Sequence, residues 1–342
     1  MIPKNGNNPF YEEAYLGCEE EALLESTNNE TSYNVTCDYM PPNSTLENVE
    51  AGEQQIQIMK GIIQNKTHDG IAIAPLDGNN TSLIQVIYEA IEMDIEVVTF
   101  DSDSKQSERK LHIGTDDLAF GDMLGKVLLQ LEPKGGDYSV ITAFPSQNLV
   151  ARVKGLKNVL DGTKWNYFGP EKGVNGKGSR SESLLAMSQI LDDHHSKYPN
   201  PGDRPPFAIV PVGAWPMLDT EGWKEFNKKD EDTTLICGDA FLSQIEMLKL
   251  DYVAGLVGQL PAEMGRQSVS KFEFGFMKRC SIYSRSSVFI LLQLILRGSF
   301  VVIRRRSSQV MMVKLLEQIY FSFYVSRSYF LKYKLTPMHL EA

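Results

Sequence analysis

Little in this chain belongs to the residue patterns that carry covalent or metal chemistry. Its 342 residues hold four cysteines, at 18, 37, 237 and 280, with no C-x-x-C pair, which excludes a disulfide scaffold and the common structural zinc patterns. Neither a G-x-S-x-G nucleophile elbow nor an H-E-x-x-H motif occurs, so no motif supports an enzyme. Positive charge is also short: 34 Lys and Arg face 44 Asp and Glu, a net charge of −10. Phosphate-backbone binding relies on a basic surface that releases counterions, so nucleic acid is not an expected partner. An apolar leader is missing as well, because Met1-Ile2-Pro3-Lys4 runs straight into polar Asn and Gly, and no signal peptide is visible.

What is present is a soluble globular composition, 42% hydrophobic and 23% charged, long enough for two ordinary cores. The composition breaks near Cys280. Residues 281–342 hold nine Lys or Arg against two acids, one glycine (Gly298), and neither Asp nor Trp, whereas the preceding part is acidic and rich in Gly and Asp. Six N-x-[ST] sequons, at Asn29, Asn34, Asn43, Asn65, Asn79 and Asn80, crowd the first quarter and point to a glycosylating secretory route. Cys18 falls in a predicted helix and Cys37 in the strand predicted after it. A helix-to-strand disulfide and two buried free thiols are both open readings of that pair.

Seven short apolar, β-branched runs, at 69–76, 95–101, 110–114, 137–144, 207–212, 233–239 and 252–259, predict buried strands. Amphipathic stretches at 10–25, 46–64, 82–93, 118–131, 149–160, 181–195 and 242–250 predict helices between them. Alternation of β and α over this length predicts a doubly wound α/β architecture of parallel sheets, with a ligand at the carboxyl ends of the strands. Those ends are polar or unusual: Pro75-Leu76-Asp77-Gly78, Asp101-Ser102-Asp103, Gly213-Ala214-Trp215, Asp239 and Gln259.

The run Asn7-Asn8-Pro9-Phe10-Tyr11, then DGIAIAPLDGNN, IEVVTFDSD and HIGTDDLAFGDMLG, followed by Ala151-Arg152-Val153-Lys154-Gly155, Gly238-Asp239 and Gly258-Gln259, resembles the type I periplasmic sugar-binding proteins over about residues 3–278. The resemblance implies two lobes joined by a three-segment hinge near Thr115, Gln259 and Phe274. Lobe 1 is then residues 1–114 plus 260–280, lobe 2 is 115–259, and 281–342 is an atypical tail. It implies ligand contacts at Asn8, Phe10, Tyr11, Asp101, Arg152, Asp239 and Gln259, and the fifth strand end adds Trp215. The residue types suit a sugar. Hydroxyls need paired acceptors and donors such as Asp101, Asp239, Arg152 and Gln259, and apolar C–H faces need rings such as Phe10, Tyr11 and Trp215. Ser102 and Gly213-Ala214-Trp215 depart from the ribose binders of the family, where an arginine and an asparagine stand, so a pentose, hexose or other polyol is the expected class rather than ribose itself. Taken singly, Asp101 and Asp239 also read as turn or capping carboxylates, Arg152 as a surface arginine and Phe10 as core. Substituting Asp101 or Arg152 by Ala is expected to abolish binding while leaving the unliganded melting point nearly unchanged.

The expected function is binding of a monosaccharide-like solute for uptake or sensing, without catalysis, cofactor or metal, and with a permease or receptor as partner. The expected location is extracytoplasmic. Two alternatives share the fold. One is the effector core of a lactose-repressor-type regulator, for which residues 1–9 leave no room for a helix-turn-helix. The other is a receptor ectodomain anchored by the apolar stretch 287–303, which is short and carries Arg297. The family pattern calls for a closing strand and short helix after residue 276, and the tail does not resemble them. With a first strand cut short before Ile2, this points to a reading frame that departs from the pattern at both ends. Gly173 to Ser179 reads as a flexible loop rather than a phosphate cradle, and His194-His195 as a solvated helix end rather than a metal pair.

Overall fold

The computed structural model describes residues 1–27, 34–43, 48–272, 300–304 and 310–313. The first lobe is built on three parallel strands, β1 (Gly70–Ile73), β2 (Glu96–Phe100) and β3 (Leu111–Ile113), in that order. Ile2 extends this sheet by a parallel bridge to Ile73, its amide donating to the Ala72 carbonyl at 2.8 Å. The chain start therefore acts as a further strand, although only one apolar residue of it is visible in the sequence.

Helices cover both faces, as near-continuous apolar strands demand. On one side lie α2 (Asn48–Asn65) and α3 (Thr81–Glu92), whose Ile56, Met59, Ile62, Leu83, Val86 and Ile87 pack on Ile71, Ile73 and Val97. On the other lie α1 (Pro9–Thr27) and the late helix α9 (Pro261–Ser270), which returns to this lobe after the second has been built. The α1–α9 crossing is so close that a Cβ on Gly17 would meet the Ala262 carbonyl, and one on Gly265 the Ala14 carbonyl. Both positions therefore require glycine. Cys18 of α1 is bonded to Cys37, which settles the two readings of that pair in favour of a disulfide. Residues 34–43 carry no regular strand, yet the Met40 amide donates to the Met1 carbonyl at 2.9 Å and holds the segment beside the chain start.

The second lobe holds β4 (Gly136–Thr142), β5 (Trp165–Tyr167), β6 (Val174–Asn175), β7 (Phe207–Pro211), β8 (Thr234–Gly238) and β9 (Gly255–Gly258). They pair in parallel in the order β5-β4-β7-β8-β9, with β6 also on β4. One face is covered by α4 (Asp117–Leu131) and α5 (Gln147–Leu160), and the other by α6 (Arg180–Lys197), α7 (Thr220–Asn227) and α8 (Leu242–Lys249).

The seven strands predicted from apolar runs and all seven predicted helices form, within a few residues of the expected ends, whereas the strand expected around Cys37 does not. Among the described residues, six strands and helices escaped prediction: the short β5 and β6, α7, α9, and the two strands of the tail. Two readings need correction. In the tail, β10 (Phe300–Arg304) pairs antiparallel with β9 and β11 (Val310–Val313) pairs with β10, so closing strands follow the second lobe where none was expected. No helix among the described residues is long and apolar enough to cross a membrane, and 287–299 and Cys280 lie outside them. His194 is not solvated: it is 1% exposed, its ring stacked on Phe207 at 4.0 Å, because the α6 stripe that packs on the sheet runs to the helix end. Among the described residues no His, Cys, Asp and Glu cluster is arranged to hold a metal ion.

Candidate functional site

The carboxyl ends of the strands in both sheets face one another across a cleft. Asp101 follows β2 and Asp239 follows β8, and each adopts a left-handed backbone, with φ of 58° and 67°. That conformation is uncommon for a non-glycine residue and breaks the strand abruptly, which turns each carboxylate across the sheet end into the cleft. Both are buried, at 6% and 8% exposure.

Asp101 is held by four groups. Its Oδ2 accepts from the Tyr11 hydroxyl at 2.9 Å and pairs with the Lys4 ammonium at 2.9 Å. Ser102 Oγ donates to the same oxygen at 3.3 Å, and the Asn148 amide of α5 reaches Oδ1 at 3.4 Å. Burial by itself would raise this carboxyl, but Lys4, Arg152 and the hydrogen bonds outweigh it and hold Asp101 below the ordinary aspartate range.

Arg152 occupies the floor of the second lobe. Its Nε donates to Asp117 at 2.8 Å, Nη1 to the Val212 carbonyl at 3.1 Å and Nη2 to Gln259 Oε1 at 2.8 Å, while the guanidinium lies 4.3 Å from the Phe120 ring centre. Burial opposes its charge, yet Asp117, Asp239 and Asp101 overcome that and raise it. Gln259 passes the network on, accepting from Thr115 Oγ1 at 2.8 Å and donating to Asp239 Oδ1 at 2.6 Å. Asp239 Oδ2 accepts from the Ala214 amide at 2.9 Å. Here burial wins over Arg152 and these bonds, and the Asp239 carboxyl is raised.

All eight residues expected from the sequence, Asn8, Phe10, Tyr11, Asp101, Arg152, Trp215, Asp239 and Gln259, line this one hollow of about 590 Å³ counted to its mouth. The single-residue alternatives are partly true as well. Asn8 Oδ1 caps α1 through the Phe10 amide at 3.1 Å, Asp239 anchors a turn, and Phe10 belongs to the lobe 1 core. Arg152, however, is no surface arginine, at 2% exposure.

Three contributors were missed. Lys4 stands at the end of the chain-start strand and touches both Asp101 and, at 3.4 Å, Asn148 Oδ1 across the cleft. A lysine two residues after an isolated Ile reads as solvated, since buried lysines are rare. Asn148 sits in the first turn of α5, and Ser146 donates to the Leu76 carbonyl at 3.2 Å, a further bond between the lobes. Only their placement just before Ala151-Arg152 hinted at either. The arrangement offers charged acceptors from both lobes, a fixed guanidinium, amides that donate and accept, and aromatic walls. That set suits a polyhydroxylated molecule.

A family model described as periplasmic binding protein domain matches residues 1–271. No curated protein sequence matches the chain. Among solved structures, an arabinose binding protein from Geobacillus stearothermophilus is similar at 24% identity and a TM-score of 0.63, covering 89% of this chain and 95% of that one. A solute-binding protein from Burkholderia graminis in complex with D-arabinose is similar at 23% identity and a TM-score of 0.61, over 79% of this chain and 85% of that one. The XylFII–LytSN complex gives 19% identity and a TM-score of 0.64, over 79% and 89%. At these identities the likeness establishes the two-lobed fold.

Proposed function

The chain belongs to the periplasmic binding protein domain family, and from that membership we propose that it captures a monosaccharide-like solute between its lobes, for uptake or sensing, without chemical conversion. One observation carries this reading: Asp101 and Asp239, from opposite lobes and in the same strained backbone state, converge with Arg152 on a single cleft. The relatives described above as binding arabinose support the same class of ligand.

Lobe 1 is residues 1–114 with 260–280, lobe 2 is 115–259, and the crossings near Thr115 and Gln259, bonded to each other at 2.8 Å, serve as hinges. Phe274, the third hinge position, lies outside the described residues. On capture, sugar hydroxyls take over the Asp101 oxygens now held by Lys4 and Asn148, and free energy from these bonds and from ring packing draws the lobes together. The roles follow from donor type: Asp101 and Asp239 accept, Arg152 and Lys4 donate, Asn8, Asn148 and Gln259 do both, and Phe10, Tyr11 and Trp215 flank the C–H faces.

The protein works outside the cytoplasm. The Cys18–Cys37 disulfide needs an oxidising compartment, and the asparagines of four sequons, Asn34, Asn43, Asn65 and Asn79, are exposed on lobe 1, while Asn80 spends its Oδ1 on the start of α3 and Asn29 lies outside the described residues. A membrane permease or sensor is the partner that such a protein delivers to; the XylFII structure is itself a complex with LytSN.

A thermal-shift panel of pentoses, hexoses and polyols on the full chain tests the reading. A sugar that binds the folded form alone raises the melting temperature with concentration, by linkage. No shift with any of them up to millimolar concentration removes the proposal.

A further inference from the structure

Beside the main cleft lies a second recess that no part of the reading above uses. Its cavity volume is about 210 Å³, against about 60 Å³ for the cleft by the same measure. Ile56 of α2, Leu83 of α3, Leu76 and Pro145 give it apolar walls, and Glu53 and Asp77 stand at its rim. Gln55 is part of the wall only, because its amide donates to the Pro3 and Ala74 carbonyls and its oxygen accepts from the Leu76 amide.

The recess shares a wall with the binding cleft. Leu76 lines both, and the partition is completed by the Ser146 hydroxyl on the Leu76 carbonyl at 3.2 Å, with Ser146 on the cleft side and Pro145 on the recess side. That bond joins the two lobes, so hinge opening breaks it and merges the two spaces.

A glycine keeps the recess open. Gly52 lies inside α2, where glycine is among the worst helix formers. A Cβ there would meet only Leu76 Cδ2, at 3.6 Å, an ordinary contact. Local backbone geometry therefore does not require glycine at 52, and any larger side chain would occupy the recess.

We propose that this recess is an extension subsite, holding the aglycone or second ring of a glycoside whose first sugar ring sits among Asp101, Arg152 and Asp239. The inference rests on the sugar-binding reading. The apolar walls pack on a ring face, the rim carboxylates accept hydroxyls, and their charge disfavours an anionic substituent.

Calorimetric titration of the full chain compares D-glucose, D-xylose and L-arabinose with their 4-nitrophenyl glycosides. The glycoside of whichever sugar binds is expected to bind about tenfold tighter than its parent, the scale set by burying one ring face. Gly52→Phe should erase that advantage and leave the parent sugar within about twofold, because its cleft contacts are untouched. Glu53→Trp, on the exposed rim, repeats the test if Gly52→Phe does not fold. A glycoside no tighter than its parent, or an advantage that survives both substitutions, overturns the subsite while sugar binding stands. Failure of all three parents and their glycosides overturns the subsite for these sugars, and the sugar-binding reading falls with it only if the wider thermal-shift panel is silent too.

Discussion

The two strand-end aspartates share a backbone conformation, a degree of burial and a cleft, yet their electrostatic settings are opposite. Asp101 of the first lobe has an ammonium, a phenol and a serine hydroxyl on one oxygen. Asp239 of the second has only an amide side chain and a backbone amide within hydrogen-bond distance. The first carboxyl is accordingly held below its ordinary range and the second is pushed above it. The lesson is that a left-handed turn after a strand delivers a carboxylate to the cleft, but the partners from neighbouring elements decide whether it stays charged.

The largest effect expected from breaking this contrast is in Asp101→Ala. It removes the ion-pair partner of a lysine that is itself buried and leaves only the long bond to Asn148 Oδ1, and deleting one partner of a buried ion pair costs about 3–5 kcal/mol. The unliganded protein should therefore lose stability as well as ligand response, which revises the expectation from sequence of an unchanged melting point. Asp239→Asn removes no ion-pair partner, since a side-chain amide and a backbone amide bond its oxygens, and should cost far less in urea unfolding, while still impairing sugar binding. Equal losses from the two substitutions would show that the electrostatic difference between the lobes has no energetic weight.

A second asymmetry is covalent. The first lobe is stapled by Cys18–Cys37 across a sequence separation of 19 residues, whereas Cys237 of the second is a buried free thiol beneath the Gly213 carbonyl. Closing a loop of that length restricts the unfolded chain by about 3 kcal/mol. Cys18→Ser should lower stability by roughly that amount and make the melting temperature indifferent to reductant, in contrast to the wild type. A reductant-insensitive wild type would mean that the bond contributes nothing in solution.

The fold was legible because a parallel sheet covered on both faces writes itself as apolar runs, and those runs recur in family order from Asp69 to Gln259. The eight residues that line the cleft were legible for two reasons: Asp101, Trp215, Asp239 and Gln259 sit at strand ends, where a doubly wound sheet binds, and Asn8, Phe10, Tyr11 and Arg152 followed from the family resemblance. What stayed hidden has short or tertiary causes. Strands β5 and β6 have three and two residues, too few to show a period. Helix α9 is recognisable only from its packing on α1, through Gly17 and Gly265. Lys4 reads as a surface residue until Ile2 is seen to bridge Ile73, which carries the chain start into the middle of the first lobe.

The smallest expected effect concerns how the lobes feel one another's charge. Glu13 of α1 is half-buried, and burial, reinforced by the Asp239 carboxylate of the other lobe, raises its carboxyl from 4.5 to about 7. In the unfolded chain no such pressure acts, so between pH 4.5 and about 7 the folded state holds a proton that the unfolded state has released. Stability from this group is therefore complete below pH 4.5 and declines as pH rises to about 7, the reverse of Asp101, whose contribution is lost as pH falls. Glu13→Gln cannot ionise and should remove that decline. The variant should match the wild type near pH 4.5 and melt higher at pH 8, with most of the difference appearing between those values. Melting curves of the two proteins that run parallel across this range would mean that Glu13 is solvated and unaware of Asp239.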